Sequence, residues 1–317
     1  GEVQVTLDPV ILDRFRTALG SVQVAERDRL LCAVSGGPDS LALLLLAQAV
    51  LPGKLVAATV DHQLRPEAAD EARYVHSVCE ALGVPHVILT PNATISGNIQ
   101  SSARVARYGL LERAADAENC KYIATAHHAD DQLETLLMRL ARGSGVDGLS
   151  AIRARNGRVV RPLLDFSKAD LIDICAQAAV QTVDDPSNAN AAFDRVAMRN
   201  WLASTAHPFR TDRAGRTAAA LAEAADALTW MTGELAEHRI TREAGMVFCD
   251  TQDLPNALRR RLLLRCLEAL DPDITPRGDA IDRLLIALTD MRTATIGNVK
   301  CTGGKQWQFS IARPRRT

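Results

Sequence analysis

The chain has no Cys-x-x-Cys pair, no Gly-Lys-Ser or Gly-Lys-Thr, no internal repeat and no low-complexity block. Its seven cysteines, at positions 32, 79, 120, 175, 249, 266 and 301, are odd in number and widely scattered. Neither a disulfide framework nor a zinc site is indicated, and they read as small buried apolar residues. Without Gly-Lys-Ser/Thr, a Walker-type phosphate loop is excluded. The apolar run from Leu41 to Leu51 is too short to span a bilayer, and the first residues, GEVQVTL, lack the basic flank and apolar core of a signal peptide. The expected location is cytoplasmic, with no membrane partner.

What is present is an ordinary soluble composition. The 317 residues, 47% hydrophobic and 24% charged, suffice for two domains with separate cores. A net charge of -1 gives no global footprint for nucleic acid, but Met291 to Thr317 holds six basic residues, Lys300, Lys305 and Arg313 among them, and no acidic one. That stretch suits contact with a phosphate backbone, and a solvated terminus has the same composition.

Ser35-Gly36-Gly37-Pro38-Asp39-Ser40 carries the clearest chemistry. It lies between an apolar strand-like run, Leu30 to Val34, and the apolar helix-like run from Leu41. Gly36 and Gly37 let the backbone turn and approach an anion, and the N-H groups opening the helix point at it. Ser35 and Ser40 add hydroxyls, and Asp39 is placed to hold magnesium against phosphates. A plain strand-to-helix turn capped by Ser or Asp uses the same residues.

Further strands are read at Lys54 to Asp61, Pro85 to Leu89, Lys121 to His127 and Val159 to Leu164. Between them helical spacing covers Glu67 to Leu82, 100 to 118 and 130 to 142, with another helix from Ser167 to Ala179. This alternation implies an α/β fold, a doubly wound and mainly parallel sheet of Rossmann type, with its ligand site at the carboxyl ends of the strands. Ser35 to Ser40, Asp61-His62 and His127-His128 with Asp130-Asp131 should therefore share one rim. The pattern breaks at His207-Pro208-Phe209, which predicts a catalytic domain over 1–210. A long helix from Thr217 and a small, mostly helical domain then occupy 211–317.

Taken together, the phosphate loop, Val-Asp-His-Gln-Leu-Arg (60–65), Ala-Arg-Val-Ala-Arg-Tyr (103–108), Thr-Ala-His-His-Ala-Asp-Asp-Gln-Leu-Glu-Thr (125–135), Arg-Gly-Ser-Gly-Val-Asp-Gly-Leu-Ser (142–150), Arg-Pro-Leu-Leu (161–164) and Asp-Asp-Pro-Ser-Asn (184–188) resemble, in order and spacing, the tRNA(Ile)-lysidine synthetases among the PP-loop ATP pyrophosphatases. The resemblance covers about residues 30 to 200. It departs from the family pattern at Val196, where asparagine commonly follows Arg195. It implies that ATP adenylates C2 of the wobble cytidine of a tRNA(Ile) with a CAU anticodon, and that free L-lysine then displaces AMP.

ATP would contact Ala33, Ser35, Gly36, Gly37, Asp39, Ser40, His62 and His127, with magnesium on Asp39. Asp131 and Glu134, three apart on a helix, share a face that suits a cationic substrate, and an acidic first turn that favours the helix dipole looks the same. Arg104 and Arg107 would act near the adenylated base, and Arg142, Ser144, Arg195, Arg199, Lys300, Lys305 and Arg313 on phosphate or tRNA. Gly143-Ser144-Gly145 serves equally well as a helix C-cap. The sequence leaves open whether the chain is a monomer or a homodimer. A tRNA sulfur-transfer enzyme would need reactive cysteines, and a nucleotide sensor would have no use for acids beside the phosphate loop.

Overall fold

A computed structural model describes residues 6–63, 65–91, 99–183 and 193–312. Two compact units divide at Ala222/Glu223. In the first, α1 (Pro9–Ser21) precedes β1 (Leu30–Ala33), α2 (Pro38–Val50), β2 (Leu55–Val60), α3 (Glu67–Ala81), β3 (His86–Leu89), α4 (Ile99–Ala117), β4 (Tyr122–Ala124) and α5 (Ala129–Ala141). Then follow α6 (Val146–Leu149), β5 (Arg155–Asn156), β6 (Val159–Val160), α7 (Lys168–Gln177), α8 (Phe193–Ser204) and α9 (Thr211–Arg239), which runs on into the second unit.

The sheet order is β3-β2-β1-β4-β6-β5, parallel except for the β5–β6 pair. Along β1 the side chains alternate between two cores. Leu30 and Cys32 join one with α1, α2 and α7, and Leu31 and Ala33 join the other with Leu111 and Ala115 of α4. A strand buried on both faces needs the continuous apolar run that LLCA supplies. Helix α2 is apolar all round, with Ser40 to Ala47 buried, and so sits inside the layer rather than on the surface.

Two details differ from the sequence reading. Val159 to Leu164 is a strand only at Val159–Val160, because Arg161-Pro162 turns the chain out of the ladder and β5 closes a short antiparallel hairpin on it. The boundary expected near 210 coincides with the start of α9, but Ala214 and Ala218 are buried, so the first turns of that helix belong to the first unit and the division falls inside it.

In the second unit β7 (Ile240–Glu243), β8 (Met246–Asp250), α10 (Asn256–Leu270), α11 (Gly278–Thr289), β9 (Thr293–Ile296), β10 (Val299–Thr302) and β11 (Gln306–Ile311) follow the remainder of α9. The strands make one antiparallel sheet, β7-β8-β11-β10-β9. Trp307 and Phe309, alternating inward on β11, pack with Val299 and Cys301 against the leucines of α10 and α11. Helices α10 and α11 are accompanied by this five-stranded sheet, which the mostly helical sequence reading of 211–317 did not include.

Gly303 is where the chain leaves β10 beside the end of α11. A Cβ there would lie 2.4 Å from the Leu288 carbonyl oxygen and 2.9 Å from the Cα atoms of Leu288 and Met291, all backbone. We expect Gly303→Ala to destabilise the protein by about 1–3 kcal/mol in urea denaturation. Gly278→Ala, with nothing within 4 Å, should be neutral or slightly stabilising; equal effects would contradict the packing argument.

Candidate active site

The sheet changes direction of build at β1, which has β2 on one side and β4 on the other. Loops leaving β1 and β4 therefore diverge to opposite faces and leave a crevice between them. That crevice is a cleft of about 390 Å3, walled by Ala33, Ser35, Gly37, Asp39 and Ser40 after β1, His62 after β2, and His127 and Asp131 after β4. Arg107, Arg195 and Arg199 close it from α4 and α8.

The phosphate loop is laced internally. Ser35 N-H donates to Ser40 Oγ at 2.8 Å, Ser40 Oγ donates to the Ser35 carbonyl at 2.8 Å, and the two hydroxyls lie 3.1 Å apart. Ser40, buried, thus shapes the loop rather than offering a free donor. Gly37 caps α2 with no side-chain acceptor for the first N-H groups, which leaves them and the helix dipole facing the cleft. Neither Gly36 nor Gly37 has a positive φ, so the sharp-turn argument for glycine does not apply here. Gly36 is needed for close approach instead: its carbonyl accepts the Val183 N-H at 2.8 Å, and a Cβ would lie 3.2 Å from Val183 Cβ.

Asp39 is the hub. Its carboxylate lies 2.9 Å from Lys168 Nζ and 3.3 Å from His128 Nε2, which is itself 3.4 Å from Asp131. Burial pushes the Asp39 carboxyl up, but His128 and Lys168 outweigh it and hold the group below the usual carboxylate range. His128 caps α5, accepting the Asp130 N-H on Nδ1 while Asp131 accepts the His128 N-H. Burial would lower His128, yet the carboxylates on Nε2, Asp39 first, raise it above an ordinary histidine. Asp131 is raised, by burial before all else. His127 is driven down to about 3 by burial and by Arg161, Arg107, Arg104 and Arg195, so its ring is neutral at working pH. His62 is lowered as well, by burial and then Arg107.

Beside the cleft lies a smaller pocket of about 170 Å3 lined by Asp39, His128, Asp130, Asp131, Glu134, Lys168 and Arg199. Glu134 is not a free partner for an incoming cation, because Arg199 grips it through two hydrogen bonds of 2.9 and 3.1 Å. Arg195 reaches Thr135 Oγ1 at 3.2 Å.

The structure separates the remaining candidates. Arg107 lines the cleft, whereas Arg104 stacks over Tyr108 at 5.2 Å and acts on the site only through its charge. Arg142 pairs with Asp194 at 2.9 Å, away from the cleft. Gly143 adopts φ +71 and its N-H donates to Leu140 O while Ser144 N-H donates to Arg139 O, so Gly143-Ser144 is the C-cap of α5 and Ser144 is not on the cleft. Lys300 and Lys305 sit on β10 and in the turn after it, in the second unit. Arg313 and 184–188 lie outside the described residues. Lys168 was missed as a site residue, and His128 was placed on the rim without a role of its own. His128 was legible from its place in the His-His-Ala-Asp-Asp run, while Lys168 carried no local signal beyond starting α7.

The raised His128 fixes a pH dependence. A folded-state value above the ordinary 6.5 stabilises the fold fully below that pH, and the contribution is lost as pH rises through the folded value. His128→Asn keeps a capping acceptor but no titrating group. The stability gap between wild type and this variant should be widest in mildly acidic solution and narrow as the pH rises above the ordinary histidine value. Thermal denaturation across the range measures it, and a gap that widens with pH reverses the sign.

Residues 10–206 match the family model described as PP-loop domain. The chain is 41% identical over 293 residues to the tRNA(Ile)-lysidine synthase of Zymomonas mobilis, covering 90% of this chain and 88% of the relative. It is 39% identical over 297 residues to that of Novosphingobium aromaticivorans, covering 91% and 90%. Among solved structures, the U34-tRNA thiolase NcsA from Methanococcus maripaludis with its 4Fe-4S cluster aligns at TM-score 0.56 and 18% identity over 67% of this chain and 78% of that one, a likeness of fold alone. With a PP-loop domain over most of its length and this identity across nine-tenths of it, the chain belongs to the tRNA(Ile)-lysidine synthase family.

Proposed function

We propose that this protein joins free L-lysine to C2 of the wobble cytidine of a tRNA(Ile) with a CAU anticodon, at the expense of ATP cleaved to AMP and pyrophosphate. The observation that carries this reading, beyond kinship, is the sharing of Asp39, Asp131 and Arg199 between a phosphate-loop cleft and an amino-acid-sized pocket holding both signs of charge. Free lysine is a zwitterion with a second cation. Its ammonium groups suit Asp131 and Asp130, and its carboxylate suits Lys168.

In the first step the cytidine O2 attacks the α-phosphorus of ATP, and the bond to the β-phosphate bridging oxygen breaks with the electron pair leaving on pyrophosphate. The α2 N-H groups and Arg107, Arg195 and Arg199 offset the charge that builds there. Asp39 is an oxygen donor facing the cleft and is held ionised, and such a carboxylate suits a magnesium ion that would neutralise the phosphates. In the second step the lysine side-chain amine must first lose a proton, since an ordinary amine is protonated near neutrality. Asp131, its carboxyl raised by burial, is the acceptor. The amine then forms the C2–N bond, the C2–O bond breaks, and AMP departs. Thiol chemistry is disfavoured: all seven cysteines are buried, and burial drives Cys79 and Cys301 up to about 12 and Cys175 to about 11.

Incubation with ATP, radiolabelled lysine and unmodified tRNA bearing CAU should place label in the RNA in step with AMP release; ATP cleavage with all label left on free lysine would refute the reading. Asp131→Asn should cut lysine incorporation about a hundredfold while adenylated tRNA accumulates. Glu134→Ala should slow both steps, because it releases Arg199. Failure of Asp131→Asn to form adenylated tRNA would move that residue to the first step.

The second unit is proposed to grip tRNA through exposed cations that position without reading bases. Lys300→Glu with Lys305→Glu should weaken tRNA binding and reduce the slope of log affinity against log salt by about 2. An unchanged slope assigns the grip elsewhere.

A further inference from the structure

Helices α5 and α8 wall a second hollow, of about 390 Å3, that no step above uses. Met138 and Arg142 line it from α5, and Asp194, Met198 and Trp201 from α8. On each helix these positions recur at steps of three or four and make one stripe. The cleft residues Asp131 and Glu134 of α5, and Arg195 and Arg199 of α8, come from the same two helices. Met138 is one turn beyond Glu134 and Arg142 one turn further, roughly 6 and 12 Å along the axis at the helical rise. The hollow thus begins about one nucleotide's reach from the reacting groups.

Its surroundings are aromatic in a chain with little aromatic content. Trp201 is 43% exposed and Phe209 41%. Trp201 stacks with His207, centroids 5.9 Å apart at 24°, while Phe209 lies 6.3 Å from Trp201 and 5.8 Å from His207. The His207 ring is fixed by its Nε2 contact with the Leu202 carbonyl at 3.1 Å. The exposed Trp201 ring, clustered with His207 and Phe209 and sharing the hollow with Met138 and Met198, offers a polarizable face. At the rim the Arg142 guanidinium, 58% exposed, is held by Asp194 at 2.9 Å, where an arriving phosphate would compete for it.

We infer that this hollow receives a nucleotide of the substrate RNA next to the modified cytidine, its base stacked on Trp201 and its phosphate at Arg142. The inference rests on the reading of the cleft as the seat of a tRNA cytidine. A base matches the site because a ring face, an apolar wall and one cation at the edge are what single-stranded nucleotide sites combine. It also supplies what the cleft lacks: a splayed cytidine is held at one point, and stacking a neighbour fixes the direction of the strand.

The test uses the full chain and an unmodified anticodon stem-loop with CAU, wild-type lysine incorporation serving as the control on the function itself. Trp201→Ala should weaken stem-loop binding about tenfold with unchanged salt slope and unchanged circular dichroism, and Trp201→Phe should restore most of it. Arg142→Glu should instead change the salt slope. Removing the base at one of the two positions flanking the cytidine should weaken wild type and leave Trp201→Ala unaffected. Wild-type affinity in Trp201→Ala while the native enzyme still incorporates lysine overturns the platform and spares the function. Additive losses from the abasic site and Trp201→Ala overturn it as well. A stem-loop that native protein neither binds nor modifies overturns both, and altered sedimentation of Trp201→Ala without RNA makes the hollow a self-association face and ends the proposal.

Discussion

Three helices begin at one point in the first unit, and the ion network around Asp39 is what lets them. Asp39 lies in the first turn of α2, His128 and Asp131 at the start of α5, and Lys168 opens α7. Each start presents unsatisfied N-H groups and the positive end of a dipole. Brought together bare, they would repel one another. The carboxylates of Asp39 and Asp131 relieve that repulsion, with Lys168 and His128 completing the charge balance. What remains is a site with net pull on an anion and the acids needed for a cation alongside it.

The same economy explains why Glu134 faces inward yet is occupied. A carboxylate this deeply buried needs a paired cation, and Arg199 supplies it with two hydrogen bonds while still lining the cleft. Glu134 thus holds in place the guanidinium that reaches the cleft. Asp131, which has no such arginine, keeps a carboxyl raised by burial and faces the smaller pocket beside Asp130. Two carboxylates one helical turn apart sit in different surroundings because only one is gripped by an arginine.

The rings of His127 and His128, adjacent in sequence, are pushed in opposite directions for a related reason. His127 looks towards arginines and His128 towards carboxylates. One ring is held neutral and the other is drawn towards its protonated form on the same rim, and the difference comes from the elements that the β4 loop happens to meet.

The sequence by itself determined the order of strands and helices, the phosphate loop and the rim on which Asp39, His62, His127 and Asp131 meet, because buried strands, amphipathic spacing and glycine-rich turns are local signals. It also determined kinship, through motifs spread over the chain. Only the tertiary structure decided that Ser40 closes the loop on Ser35, that Gly36 serves packing against Val183 rather than a left-handed turn, and that Glu134 is taken by Arg199. Lys168 and Trp201 became visible only there too. Partners 65 residues apart, like Arg199 and Glu134, leave no periodic trace, and a side chain's charge state follows from neighbours that the fold alone brings within reach.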